Sequence, residues 1–269
     1  MELPDTLKEL LATVTQTDER CEVHQVYKQQ YKDSGPFCIQ CTQERIQREN
    51  IQRVNKAIKN EHERARHYLR YNSLLDDETL TAATFDTYQT TTDGERRTKQ
   101  FAQDVADRYE AGQVFNTLMV GDAGTGKSHL AMAILQQVNS GTDPRACAFA
   151  GTGEILRKIR NGFDNKQSGD TEEAIIARFA KPELLVLDDL GSETGGIGTA
   201  KQASDFTQNV LYSLMNRRQG KSTIITTNLN GQQLKAMYDA KLLSRLLRGT
   251  KGNILKFQDI PDKRINLEF

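Results

Sequence analysis

The chain has 269 residues, of which 37% are hydrophobic and 27% charged, with 36 basic against 36 acidic side chains. That length favours one full-sized core plus a smaller appended module, and no apolar run approaches the roughly 20 residues that span a bilayer, so a transmembrane anchor is excluded. The opening MELPDTLKELLATV carries acids and lacks a basic segment followed by an apolar stretch and a small-residue cleavage site, so it does not read as a secretory signal and the chain is expected in the cytoplasm.

Residues 1 to 42 read as short helical or irregular pieces ending in the turn Asp33-Ser34-Gly35-Pro36. Three of the four cysteines lie here. In a cytosolic chain they are not expected to form disulfides. Cys21-Glu22-Val23-His24 and Cys38-Ile39-Gln40-Cys41 stand thirteen residues apart and offer three thiolates and one imidazole, a complete tetrahedral Zn²⁺ shell with no open position. The expected site is structural. A segment of some 45 residues with few large apolar groups needs such a staple to fold, which free cysteines beside a surface histidine would not supply. The fourth cysteine, Cys147, lies in an apolar run and reads as a buried thiol.

From Thr42 a long helix is expected. Ile46, Ile51, Val54, Ile58, Ala65 and Tyr68 or Leu69 recur at helical intervals among Arg, Lys, Gln and Glu, leaving one apolar stripe for a partner helix or, more simply, for internal packing. The pattern breaks between about Asn72 and Thr84. These changes divide the chain into a zinc-binding module at 1–45, a helical linker at 46–80 and a catalytic domain at 81–269. Within that domain helices are expected at 101–110, 127–139, 154–163, 171–180, 200–219 and 234–247. Strands are expected at 117–120, 146–150, 184–187, 222–227 and 253–257. Such alternation implies right-handed crossovers and a mainly parallel sheet with helices on both faces.

Gly121-Asp122-Ala123-Gly124-Thr125-Gly126-Lys127-Ser128 fits G-x-x-x-x-G-K-[ST] between an apolar strand and a helix, the context a phosphate-binding loop requires. Gly121, Gly124 and Gly126 let the backbone form a nest of N–H groups, with Asp122, Ala123, Thr125 and His129 completing the loop and its exit. Lys127 is expected to bridge the β- and γ-phosphates of ATP and Ser128 to ligate Mg²⁺. The strand Leu184–Leu187 then delivers Asp188 and Asp189. Asp188 is the expected Mg²⁺ partner and Asp189 the carboxylate that polarises the attacking water, while two acids ending a strand can also cap a turn. Asn228 follows the strand 223–227 and either holds water near the γ-phosphate or serves as a turn residue.

Two basic stretches interrupt the neutral average. Residues 45–70 hold eight Lys/Arg against three acids, and residues 217–264 eleven against three. Either could face nucleic acid, or the first could be a solvated helix face and the second a set of nucleotide-contacting arginines.

The stretches GDAGTGKSHLAMAI (121–134), LLVLDDLGSE (184–193), TIITTN (223–228) and SRLLRG (244–249) resemble AAA+ helicase loaders of the DnaC and DnaI type and their IstB transposition relatives, and NSLLDDETLTAATFDTY (72–88) is similar to phage and Gram-positive members. The resemblance runs from about Asn72 to the C-terminus. It implies a P-loop AAA+ core without a C-terminal lid, in keeping with a chain that stops twelve residues after Phe257. It also implies Asn228 as sensor 1, Arg245 as an arginine finger acting on a neighbouring subunit and Arg264 as sensor 2. The glycine-rich 194–205 departs from the family pattern and reads as a surface loop. Arg217 and Arg218 are accounted for by their place at a helix C-terminus. The implied function is an ATP-dependent loader, self-associating through its AAA+ domains, that places a hexameric replicative helicase on single-stranded DNA. The alternatives are an IstB-like regulator of a transposase on duplex DNA and a binding adaptor whose nucleotide only stabilises the fold. The zinc module ahead of the ATPase favours the loader, and the set Asp188, Asp189, Asn228 and Arg245 disfavours the adaptor.

Overall fold

The computed structural model describes residues 13–164, 169–194, 202–258 and 260–263. They fall into two compact units that divide between Glu61 and His62. In the first unit, Val14–Arg20 (β1) and Tyr27–Tyr31 (β2) pair antiparallel, with Val14 opposite Tyr31 and Arg20 opposite Tyr27. The expectation of helical or irregular pieces is therefore corrected to a hairpin. VTQTDER and YKQQY show no apolar alternation because neither face is buried, so the periodic signal of a strand is missing.

The helix α1 spans Ile39–Asn72 and so begins inside the Cys38–Cys41 pair. Ile46, Ile51, Val54 and Ile58 are all exposed in the first unit, whereas Ala65 and Leu69, on the last turns and in the second unit, are buried. The stripe is thus half covered.

The second unit is an α/β fold around a five-stranded sheet in the order β4-β5-β6-β3-β7. The strands are Thr117–Gly121 (β3), Cys147–Gly151 (β4), Leu184–Asp188 (β5), Ser222–Thr227 (β6) and Ile254–Phe257 (β7), and every pair is parallel. The helices are Asp93–Glu110 (α2), Lys127–Ser140 (α3), Thr152–Asp164 (α4), Glu172–Ala180 (α5), Asp205–Arg217 (α6), Gly231–Met237 (α7) and Ala240–Leu246 (α8). One core cluster gathers Leu118, Ala148, Leu185, Leu187 and Ile225 with α4 through α8. The other gathers Met119, Phe149, Val186, Ile224 and Phe257 with α2 and α3. In β3, β4, β5 and β6 successive apolar residues alternate between the clusters, so both faces are covered there, whereas the edge strand β7 buries only Leu255 and Phe257. Cys147 is fully buried, and burial pushes its thiol up.

Several helix boundaries differ from expectation: α6 begins at Asp205 rather than at 200, because the Ser204 side chain caps it by accepting from the Thr207 N–H. α2 starts eight residues early because Thr92 and Glu95 form a reciprocal capping box, so Gly94 lies inside the first turn. The expected 234–247 helix is two, since Tyr238 is extended (φ −121, ψ 146) and Asp239 starts α8.

Candidate functional site: a nucleotide pocket and a metal cluster

The register brings the C-terminal ends of β3, β5 and β6 together, with Val120 beside Thr227 and Gly151 beside Asp188. Ligands of open parallel sheets bind at that edge. Gly121 closes β3, and the loop enters α3 through Gly124 (φ +76) and Gly126 (φ +94), conformations that exclude most side chains. At Gly126 a Cβ would also lie 2.7 Å from the Tyr88 ring, so the buried tyrosine fixes how close the loop sits. Gly126 caps α3 without a side-chain acceptor, so the cap leaves room for an anion at the helix N-terminus. The Thr125 hydroxyl donates to Asp122 O at 2.8 Å within the loop.

Lys127 is buried and its ammonium donates to Gly121 O, Asp122 O and Asn228 Oδ1, each at 2.7 Å. Asn228 in turn donates to Asp189 Oδ1 at 3.2 Å. Ser128 Oγ lies 2.8 and 2.9 Å from the two oxygens of Asp188. Lys127, Ser128, Asp188, Asp189 and Asn228 are therefore one connected group. Burial pushes the Asp188 carboxyl up, while the Thr226 and Ser128 hydroxyls favour its ionised form. A hydroxyl and a carboxylate are hard oxygen donors of the kind Mg²⁺ takes. His129 does not face the phosphate loop: its Nε2 is 2.9 Å from Thr84 O and 3.1 Å from Thr87 Oγ1, tying α3 to the 84–88 segment.

Arg245 lies elsewhere. The Asn116 amide, just before β3, donates to Leu246 O at 3.3 Å, which places the end of α8 at the N-terminal edge of the sheet. The five residues of β3 separate that edge from Gly121 by about 16 Å. The Arg245 guanidinium rests 4.2 Å over the Tyr212 ring and is not among the groups around its own chain's phosphate loop. Arg264 and residues 195–201 of the glycine-rich segment lie outside the described residues. Arg217 forms a two-pronged pair with Glu173, both bonds 2.7 Å.

Arg218 is where helix-end charge proves an insufficient account. It is 2% exposed and donates to Thr223 Oγ1, Phe179 O, Pro182 O, Glu183 O and Ser222 O. It is a buried clamp on the loops that precede β5 and β6. Thr226 was also missed, although it touches both site aspartates: its Oγ1 donates to the carboxylate of Asp188 at 2.6 Å and accepts from the backbone N–H of Asp189 at 2.8 Å. The available signal was two hydroxyl residues ending a strand just before a polar one.

In the first unit Cys21, His24, Cys38 and Cys41 bring their donor atoms within 4.8 Å of one another. His24 Nδ1 is 3.8, 3.6 and 3.3 Å from the sulfurs of Cys21, Cys38 and Cys41, and the Cys21 and Cys41 sulfurs are 3.5 Å apart. A tetrahedral Zn²⁺ shell with metal–sulfur bonds of about 2.3 Å has sulfur–sulfur edges of about 3.8 Å, so the donor set fits that ion. The cluster is closed by these four side chains. The His24 backbone N–H draws the Cys21 thiol down to about 6. Cys41 is pushed up to about 11 by its neighbour Cys21 and by burial, and His24 is raised to about 9 by Cys21 and then Glu44. A cation seated on these donors displaces the protons they share. His24 Nε2 lies 3.0 Å from Glu44 Oε1, an outer carboxylate of the kind that orients a ligating imidazole.

Among the described residues no helix is long and apolar enough to cross a membrane. The chain is 22% identical over 167 residues to the replicative helicase loader DnaC of Escherichia coli K12, an alignment covering 61% of this chain and 63% of that protein, so it spans less than two thirds of the relative's length. Among solved structures, a putative primosome component from Streptococcus pyogenes superposes with a TM-score of 0.53 at 15% identity, over 72% of this chain and 93% of that one. AMPPCP-bound DnaA from Aquifex aeolicus superposes with a TM-score of 0.51 at 17% identity, over 67% and 51%. These two likenesses are of fold. Residues 43–250 match the family of IstB-like ATP binding proteins. With its phosphate loop, paired aspartates and five-stranded parallel sheet, the chain belongs to the IstB-like ATP binding protein family.

Proposed function

We propose that the protein is an ATP-hydrolysing loader that places a hexameric replicative helicase on single-stranded DNA. In this reading residues 1–45 are a zinc-held docking module, 46–80 a linker and 81–269 the motor. The observation that carries it is the convergence of Lys127, Ser128, Asp188, Asp189 and Asn228 at one sheet edge in a chain similar to a named helicase loader.

The geometry supports these roles. The nest at 121–126 and the Lys127 ammonium would hold the phosphates, and Ser128 with Asp188 would hold Mg²⁺, which would supply positive charge to the transferred group. Asp189 takes a proton from the attacking water, and Asn228, already bonded to that carboxylate, holds the water against it. The placement of Arg245 at the far edge supports its action on a neighbouring chain's nucleotide, so hydrolysis depends on self-association. Arg264 is assigned as a second nucleotide-sensing arginine on the family resemblance. Zn²⁺ on Cys21, His24, Cys38 and Cys41 supplies structure and no chemistry.

The test uses full-length protein, wild type and Lys127→Ala, with the host's replicative helicase, single strands and duplex. Wild type is expected to hydrolyse ATP, to capture the helicase, and to bind single strands in an ATP-dependent, salt-sensitive way. Lys127→Ala is expected to lose nucleotide binding and to keep the helicase. Tight duplex binding without helicase capture would replace this reading with that of a transposition ATPase.

A further inference from the structure

Thr226 is the penultimate residue of β6, two residues ahead of Asn228, and is 1% exposed. Its hydroxyl has one proton, and that proton goes to Asp188 Oδ1 at 2.6 Å. Thr226 Oγ1 itself accepts the Asp189 N–H at 2.8 Å, and the Thr226 carbonyl accepts the Leu190 N–H at 2.9 Å. One residue of β6 thus holds three successive residues of the neighbouring strand's exit. The middle one is under strain: Asp189 has φ +54, a left-handed conformation that a non-glycine residue keeps only when its surroundings over-determine it. Its N–H is held by Thr226, its carboxylate by Asn228 and its carbonyl by the hydroxyl and N–H of Ser192, at 2.9 and 3.2 Å.

We propose that Thr226 is a positioning residue for the nucleotide chemistry. With the hydroxyl donating to Asp188 and accepting from Asp189, its orientation is fully determined. One side chain then sets the carboxylate that faces Ser128 and the turn that aims the next carboxylate at Asn228. This inference rests on the reading of the site as one for Mg²⁺ and ATP. Its neighbour Thr227 shows the contrast. That hydroxyl donates to Leu190 O at 2.6 Å and accepts from the Leu229 N–H at 3.0 Å, so it ties backbone to backbone and touches no carboxylate. A valine at 226 keeps the β-branched shape but leaves the Asp189 N–H and one lone pair of the half-buried Asp188 carboxylate without their partner. A serine keeps the hydroxyl and loses only the methyl group.

The experiment compares full-length wild type, Thr226→Val and Thr226→Ser by titrating Mg²⁺ against binding of a fluorescent ATP analogue, with steady-state hydrolysis and thermal melting alongside. Removing an outer hydrogen bond from a metal-facing carboxylate lowers metal affinity by about 10- to 100-fold. Thr226→Val is therefore expected to need at least about tenfold more Mg²⁺ for half-maximal binding, and to lose about 100-fold in kcat with KM little changed. Thr226→Ser is expected to stay within about threefold of wild type on each measure. An unchanged Mg²⁺ requirement in folded Thr226→Val overturns the proposal, as does a Thr226→Ser variant as impaired as Thr226→Val, which would assign the role to methyl packing. Should Thr226→Val fail to fold, Thr226→Ala is read by the same criteria. Wild type that binds no nucleotide would sink the reading of the site itself. Wild type that binds without hydrolysing would remove only the hydrolytic role, and the Mg²⁺ titration would still decide the case for Thr226.

Discussion

The two units of this chain are held together by different physics. Among the described residues of the first unit only Cys21 and Cys38 are buried, and Val23, Val26, Tyr27, Ile46 and Ile51 are exposed. The second unit buries Phe149, Phe179, Leu185 and dozens of others against a sheet covered on both faces. Each fully buried side chain of that size contributes about 1.5 to 3 kcal/mol, a source of stability the first unit lacks. On the proposed zinc reading the hairpin draws its stability from a cross-link, and a cross-link of four side chains is lost all at once. The layered core weakens by degrees.

The sharpest way to break that comparison is to remove the metal. A chelator, or Cys38→Ser, is expected to unfold the hairpin outright, since a structural Zn²⁺ contributes on the order of 10 kcal/mol to folding. The thermal transition and nucleotide binding of the second unit should stay where they were. Elemental analysis of the purified protein together with amide spectra checks both halves, and protein prepared without chelators that contains no zinc would refute the assignment of the four donors.

Within the second unit the largest single loss is expected at Arg218. Arg218→Met keeps the length and apolar stem but takes the guanidinium away from the carbonyls of Phe179, Pro182, Glu183 and Ser222, of which Glu183 keeps the Ser222 N–H, so a destabilisation of about 3 kcal/mol is expected, read as a lower urea midpoint with unchanged slope. A shift of a few tenths of a kcal/mol would return the residue to the role of a helix-end charge.

A smaller effect sharpens the contrast through pH. Burial alone would raise the Glu95 carboxyl, but the Thr92 and Thr91 N–H groups and the Lys263 ammonium outweigh it and hold the group from its ordinary 4.5 down to about 2. A carboxyl depressed in the folded state gives stability that is complete above its unfolded value and is lost as pH falls from about 4.5 towards 2. Glu95→Gln is expected to cost about 1 to 2 kcal/mol at neutral pH and to flatten the acid limb of melting temperature against pH. An identical slope in the variant would show that the capping box is not what titrates there.

Much of the second unit was legible because its strands are short apolar runs between helical periods, and because a phosphate loop has a fixed spacing. The gathering of the three cysteines and His24 was legible for the same reason: Cys-x-x-His and Cys-x-x-Cys are chemistry written as distance along the chain. The hairpin that carries the first pair was not, since its Gln, Lys and Tyr residues face water on both sides. The break at Tyr238 was hidden because Asp239 starts α8 without a side-chain cap bond, so an apolar run crosses it unmarked. Arg218 and Thr226 were invisible for a deeper reason. Most of their partners, the Phe179, Pro182 and Glu183 carbonyls for Arg218 and the two aspartates for Thr226, lie tens of residues away and are brought close by the fold around β5 and β6.

The left-handed backbone at Asp189 also limits which residues can stand there. Asparagine and aspartate tolerate this conformation because their short polar side chains bond locally, whereas longer or branched side chains do not. A glutamate would bring the same charge on a longer arm, yet the backbone resists it and the carboxylate would overshoot Asn228. The turn therefore acts as a filter on inheritance: it admits a short acid, its amide or glycine, and of these aspartate alone keeps the charge.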